Sequence, residues 1–384
     1  MAHSEESKKD TEFLLSAKAR ALSKREIPAD MDFLPLSDKF AEGAPVKAPW
    51  LADYLRYRQR NPAASREGLL RFLAEAGADH SDWADRSRGS LLGLAMGDAV
   101  GTTLEFRQRD ELVVSDMVGG GPSSLQAGHW TDDTSMACCL AYSLIKRNGF
   151  DPMHVMQSFA TWYRHGAYSP TGACFDIGGT TRAAIERFLL TGEVFAGSTD
   201  PDTAGNGSLM RLAPIPLYYA DDFAIGVEMA AESSRLTHGA IEAVDACRYL
   251  AALIYGALQG ESKAQLLGTL YSPVPGYWTS FPLAERIEAI ARGSYKNKTR
   301  SQIRSSGYVV DTLEAALWAF YRADDYRTGL LNAVNLAGDA DTVGAVYGQL
   351  AGAFYGETRL PIAWILKLYG VQGFYHFAMD LRNH

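Results

Sequence analysis

Cysteine is scarce, with four residues in 384, at positions 138, 139, 174 and 247. Two are adjacent and none forms a C-x-x-C pair, so neither a disulfide framework nor a zinc site is suggested. Basic charge is in deficit: 37 Lys and Arg stand against 45 Asp and Glu, for a net charge of −8. Nucleic acid and anionic lipid both need a basic face, so neither is an expected partner. No uncharged run approaches the ~18 apolar residues of a membrane span. The opening MAHSEESKKD lacks the apolar region of a signal peptide. These absences lead to the expectation of a reduced, soluble, cytoplasmic protein. Proline is sparse, at 15 residues, and turn-bounded β-branched alternation is hard to find.

What remains is helical. The chain is 47% hydrophobic, enough for a large core at this length. Residues 1–30 are rich in Lys, Glu, Asp, Ser and Ala, and 31–85 carry scattered apolar anchors such as Phe33, Trp50 and Phe72. We read 1–85 as an N-terminal extension, partly disordered or partner-binding. From 86 to 384 the texture changes to Ala/Gly/Leu-rich stretches at helical spacing. The spacing predicts helices at 88–101, 134–147, 151–165, 178–190, 224–234, 239–258, 282–293, 309–322, 328–336 and 342–356. The expected fold class is all-α, a single compact multi-helix domain.

The 36 glycines do not match a loop-rich composition, because so few prolines accompany them. Many fall inside the predicted helices. Gly89, Gly93, Gly97 and Gly101 recur every four residues, as do Gly344, Gly348, Gly352 and Gly356. That spacing puts each set along one stripe of a helix. A helix-interior Gly costs roughly 1 kcal/mol relative to Ala, so each stripe forfeits roughly 3–4 kcal/mol of propensity. Close approach of another helix is the natural offset. Asp98 within the first stretch argues against a membrane dimer of the G-x-x-x-G type.

Two acidic turns open helices. Thr131-Asp132-Asp133-Thr134 precedes SMACCLAYSLIKR, and Asp339-Ala340-Asp341-Thr342 precedes VGAVYGQLAGAFYG. N-capping accounts for one side chain at each helix, or two. It does not require two carboxylates and two threonines twice over. Four carboxylates with hydroxyls, and no accompanying Cys or His, form a ligand set for Mg²⁺, Mn²⁺ or Ca²⁺. Glu105 follows the first glycine stripe and is a further candidate. On these residues alone, capping and metal binding both stand.

The segments GSLLGLAMGDAVGTTLEF, GHWTDDTSM, FDIGGTTRAA, GNGSLMRLAPIPL, RLTHGA and NLAGDADTVGAVYGQLAGAFYG occur in that order. The series resembles the ADP-ribosylglycohydrolase family, helical enzymes related to dinitrogenase reductase-activating glycohydrolase, over about 86–384. The resemblance implies two divalent cations, Mg²⁺ or Mn²⁺, at the helix N-termini. Matching ligands are Glu105, Thr131, Asp132, Asp133, Asp339, Asp341 and Thr342. It also implies that Asn206, Gly207 and Ser208 line ADP-ribose, that His238 lies near the ribose, and that the segment holding Asp176 and Gly178 borders the site.

The implied reaction breaks an anomeric C–N or C–O bond with water as acceptor. The expected catalytic residues are Asp132, Asp133, Glu105 and Asp176. Asp133 or Glu105 would polarise the water, and Asp176 would carry a proton to the leaving group. The implied substrate is an ADP-ribosylated protein, foremost ADP-ribosylarginine. Alternatives are a serine or O-acyl linkage, which the metal-site glutamate favours, or a non-catalytic member that binds or neutralises a partner. Residues 1–85 exceed the minimal family pattern. They are expected either to clad the domain or to bind a cognate ADP-ribosyltransferase or toxin, which would make this an immunity protein. Cys138 and Cys139 read as small core residues, and Tyr277–Trp278 as a surface aromatic pair or an adenine platform.

Overall fold

The computed structural model describes residues 82–382. The expectations for the extension lie almost wholly outside these residues. Ten helices of nine or more residues organise the described part. They are α1 (Asp82–Gly101), α2 (Asp132–Arg147), α3 (Pro152–His165), α4 (Gly179–Thr191), α5 (Phe223–Arg235), α6 (Ile241–Leu258), α7 (Val309–Tyr321), α8 (Tyr326–Val334), α9 (Ala340–Tyr355) and α10 (Val371–Asp380). Among the described residues β-pairing is confined to isolated bridges. The all-α expectation holds, and the predicted helices fall within a few residues of the observed ones. The stretch 282–293 forms only a short helix, Glu285–Ala291, and α10 was not singled out by spacing. No helix is long and apolar enough to cross a membrane.

Helix α1 is the axis of the domain. Every residue from Ser87 to Gly101 is buried, the pattern of a helix enclosed on all sides. Its glycine stripe packs against that of α9. A Cβ built on Gly93 would fall 2.2 Å from the carbonyl oxygen of Gly348, and one on Gly97 2.0 Å from that of Gly344. From the other side, a Cβ on Gly352 would fall 1.9 Å from the oxygen of Gly89. No side chain fits at such distances. The order of pairing, 89 with 352, 93 with 348, 97 with 344, makes the two helices antiparallel. Backbone contact along the whole stripe offsets the lost helix propensity through dispersion and apolar burial.

This interlock has one geometric result. Gly101, at the C-terminal end of α1, meets the carbonyl of Ala340 at the first turn of α9. Residues after α1 and residues before α9 are therefore forced together. Helices α7 and α8 pack on α9, α10 packs on α1, and α5 packs on α6. Buried hydroxyls tie the layers: Tyr326 donates to the Gly93 carbonyl at 2.8 Å, and Ser90 to that of Gln349 at 2.9 Å.

Candidate active site

Helix α2 starts at Asp132, with Thr131 in extended conformation (φ −106°, ψ −151°). Neither Thr131 nor Asp339 caps its own helix with its side chain. The cap of α2 comes from α1. Asp98 Oδ1 accepts from the Thr131 backbone N–H (2.8 Å) and hydroxyl (3.0 Å). Its Oδ2 accepts from the Thr134 backbone N–H (3.1 Å) and hydroxyl (2.6 Å). Asp132 and Asp133 are thereby left for other work. Sequence reasoning passed over Asp98, although its place in G-D-A-x-G, seven residues before Glu105, was the available signal.

The second turn is built by left-handed backbone. Ala337 (φ 61°) and Gly338 (φ 68°) turn the chain into α9. Phe106 N–H donates to the Gly338 carbonyl (2.7 Å), and Gly338 N–H to that of Arg107 (3.1 Å). Glu105 is thus laced beside the Asp339 turn. Asn206 Nδ2 donates to Asp339 Oδ2 (2.5 Å) and to Thr312 Oγ1 (2.8 Å), so Asn206 orients an acid of the cluster.

The acids converge. Carboxylate oxygens of Glu105, Asp176 and Asp341 all lie within 4.8 Å of one another. Thr131 Oγ1 is 3.1 Å from Asp133 Oδ2 and 3.5 Å from Asp341 Oδ2, so the two turns meet. Burial pushes the carboxyls of Asp132, Asp133 and Asp341 well above the usual range, and the charges of neighbouring acids push them further. Asp339 and Asp176 are also raised, again by burial first. Glu105 is pushed up to about 9 by burial and then by Asp176, and Asp98 to about 6 by burial against four hydrogen bonds. One oxygen each of Asp133, Asp176 and Asp341 is buried without a hydrogen-bond partner. Buried orphan oxygens are costly, and an all-oxygen set of like charges is what a hard divalent cation satisfies. The cluster fits a metal ion.

A cavity of about 500 Å³ opens on these acids. Glu105, Asp132, Asp176, Asp339, Asp341 and Thr342 form its acidic wall, while Asp133 and Thr131 lie buried behind it. The N-terminus of α4 forms another wall. Gly178, Gly179, Thr180 and Thr181 line the cavity, and Gly178 and Gly179 leave open space where side chains would stand, so the first turn of a 13-residue helix borders the cavity. Such an end attracts anions.

The third wall is Gly205-Asn206-Gly207 with His238. A Cβ on Gly207 would fall 2.8 Å from His238 Cε1 and 2.9 Å from Thr181 Oγ1, so glycine is required there. Asn206 N–H donates to the Gly307 carbonyl (3.0 Å), and buried Arg211 donates to the Gly207 carbonyl and to Thr237 Oγ1 (2.8 Å). His238 Nδ1 meets Thr237 Oγ1 at 2.9 Å, and burial holds its imidazole neutral, down to about 3. Ser208 is not at the cavity. Its hydroxyl pairs with that of Ser234 at 2.8 Å. Thr180, Ser305 and Ser306 line the cavity and were not anticipated. Trp278 is neither surface nor platform: it is buried, with its indole N–H on the Tyr271 carbonyl at 2.8 Å. Cys138 and Cys139 are buried and free, as core residues.

Residues 79–384 match the family described as ADP-ribosylglycohydrolase. A protein of Pseudomonas putida (strain GB-1) named ADP-ribosylarginine hydrolase Tri1 is 48% identical over 77% of this chain and 78% of its own. One of that name from Serratia proteamaculans (strain 568) is 44% identical over 75% and 76%. The ADP-ribosyl-[dinitrogen reductase] glycohydrolase of Rhodospirillum rubrum is 32% identical over 74% of this chain and 90% of its own. A solved structure described as an ADP-ribosylglycohydrolase-related protein complex superposes with a TM-score of 0.69 at 42% identity, covering 78% of this chain and 98% of that one. The interlocked glycine helices, the acidic wall and these matches together make the chain a member of the ADP-ribosylglycohydrolase family, and a glycohydrolase enzyme.

Proposed function

We propose that this chain hydrolyses the bond between ADP-ribose and arginine side chains of modified proteins, with two divalent cations, Mg²⁺ or Mn²⁺. The observation that carries the reading is the buried acid cluster with three orphan oxygens, opening on a cavity walled by a helix N-terminus and a glycine loop. The names of the two relatives at 48% and 44% identity support arginine as the modified residue. Glu105, Thr131, Asp132, Asp133, Asp339, Asp341 and Thr342 would hold the ions. When bound, they supply Lewis acidity toward ribose hydroxyls and neutralise the acids.

The chain's own groups do the rest. The N–H groups at Gly178 and Gly179 suit the diphosphate. Gly207 and the neutral His238 shape the ribose wall without adding charge. Water attacks the anomeric carbon as the bond to the guanidine nitrogen breaks, through an oxocarbenium-like centre. Glu105, at the cavity wall, takes a proton from that water, and Asp176 returns one to the departing guanidine; Asp133, buried behind the wall, acts only as a ligand. Carboxylate oxygens of Asp176 and Glu105 lie within 4.8 Å of each other, close enough to support such an exchange. Release of ADP-ribose from arginine-modified and serine-modified protein tests the reading. Asp132→Ala and Asp339→Ala should lower release from the arginine substrate by orders of magnitude. Unchanged rates would refute it.

Removing ADP-ribose from arginine opposes an ADP-ribosyltransferase. We extend the reading to immunity against an ADP-ribosylating toxin in the cytoplasm, with residues 1–85 binding that toxin. The mixed charge and aromatic anchors of the extension support this. Pull-down with a cognate transferase tests it, and unchanged capture after deletion of residues 1–80 would contradict it.

A further inference from the structure

Phe106 combines three properties that rarely occur together. It lines the catalytic cavity directly after Glu105. Its side chain is 72% exposed. Its backbone is left-handed, with φ 58°. A bulky residue in that region is strained by about 1–3 kcal/mol, and glycine would relieve it. The strain is fixed in place by the Phe106 N–H bond to the Gly338 carbonyl and the return bond from Gly338 to Arg107. That lacing needs the backbone conformation but not the ring. Core packing does not explain a ring left in solvent, so the cost is tied to what the ring meets at the cavity mouth.

We propose that Phe106 is a specificity-determining residue, an aromatic rim that receives the guanidinium of the modified arginine. This rests on the reading of function above. The anion-attracting end of α4 and the glycine loop form one side of the cavity, suited to the diphosphate. Phe106 stands at the acidic wall, where the anomeric bond must lie for Glu105 and Asp176 to act on it. The leaving group of an arginine substrate is planar and cationic, and it favours the face of an aromatic ring. Carboxylates on one side and a ring face on the other select a guanidinium over a neutral hydroxyl.

The test uses the full chain with Mg²⁺, comparing Phe106→Ala, Phe106→Leu, Phe106→Tyr and Phe106→Gly. ADP-ribose release from arginine-modified protein gives KM and kcat, titration calorimetry gives the affinity for free ADP-ribose, and thermal melting gives Tm. The Ala and Leu variants should raise KM roughly two- to fivefold, the range of an exposed cation–π contact. Their kcat and ADP-ribose affinity should not change, and Tyr should keep the KM of the unaltered chain. The Gly variant should raise Tm while raising KM. A Leu variant with unaltered KM, or a Gly variant with lowered Tm, would overturn the proposal alone. If the unaltered chain releases nothing from arginine-modified protein, the proposal falls together with the reading of function.

Discussion

Asp98 of α1 grips Thr131, the residue before α2, through both its backbone N–H (2.8 Å) and its hydroxyl (3.0 Å). One carboxylate thereby caps a helix that is not its own and holds the turn that carries Asp132 and Asp133. The same carboxylate bonds Thr134, so both ends of the T-D-D-T turn are held.

Asp98→Asn retains the shape but turns an N–H₂ group toward donors that need an acceptor. The expected result is a loss of about 1–3 kcal/mol of stability, the cost of unsatisfied buried donors, read from denaturant midpoints. Activity should fall by more than that destabilisation explains, and apparent Mg²⁺ affinity should weaken. A variant with full activity and unaltered Mg²⁺ titration would show that the turn needs no hold from α1.

Gly97→Ala places a methyl 2.0 Å from the Gly344 carbonyl oxygen, against backbone that cannot yield. Gly344→Ala places one 2.4 Å from that of Gly97. Each should cost about 3 kcal/mol or more, despite the helix propensity gained by replacing Gly. Gly178→Ala is the control. Nothing lies within 4 Å of its added Cβ and its φ is −62°, so stability should change by less than about 0.5 kcal/mol. Thermal melting of the three variants decides.

Glu105 is held up to about 9, so in the metal-free chain it carries a proton at neutral pH. Its contribution to stability is fully present below its unfolded value near 4.5 and is lost as pH rises through about 9. A cation competes with that proton. Mg²⁺ binding at pH 7.5 should therefore release protons, and apparent affinity should rise with pH from 5 to 9. Calorimetry in two buffers of different ionisation enthalpy counts the protons; a count of zero would contradict the assignment of Glu105 to the metal.

Much of the fold was legible because its cause is local. Apolar spacing marked the helices, and the two G-x-x-x-G stripes could exist only if other helices covered them. The acidic turns were legible as a candidate metal site because capping alone left side chains unused. What escaped depends on direction in space. Asp98 read as part of a glycine stripe because the helix it caps lies 33 residues onward. Ser208 follows Asn206 and Gly207 in sequence, yet its hydroxyl faces Ser234 rather than the cavity. Phe106 looked like the end of a motif, and only its backbone angle and exposure set it apart.

The measurement that bears most directly on the central claim is ADP-ribose release from arginine-modified protein by chain stripped of metal with a chelator. We predict release near background in the chelated chain and full recovery on adding Mg²⁺ or Mn²⁺. Undiminished release in the presence of chelator would contradict a cation-dependent role for the acid cluster of Glu105, Asp132, Asp133, Asp339 and Asp341.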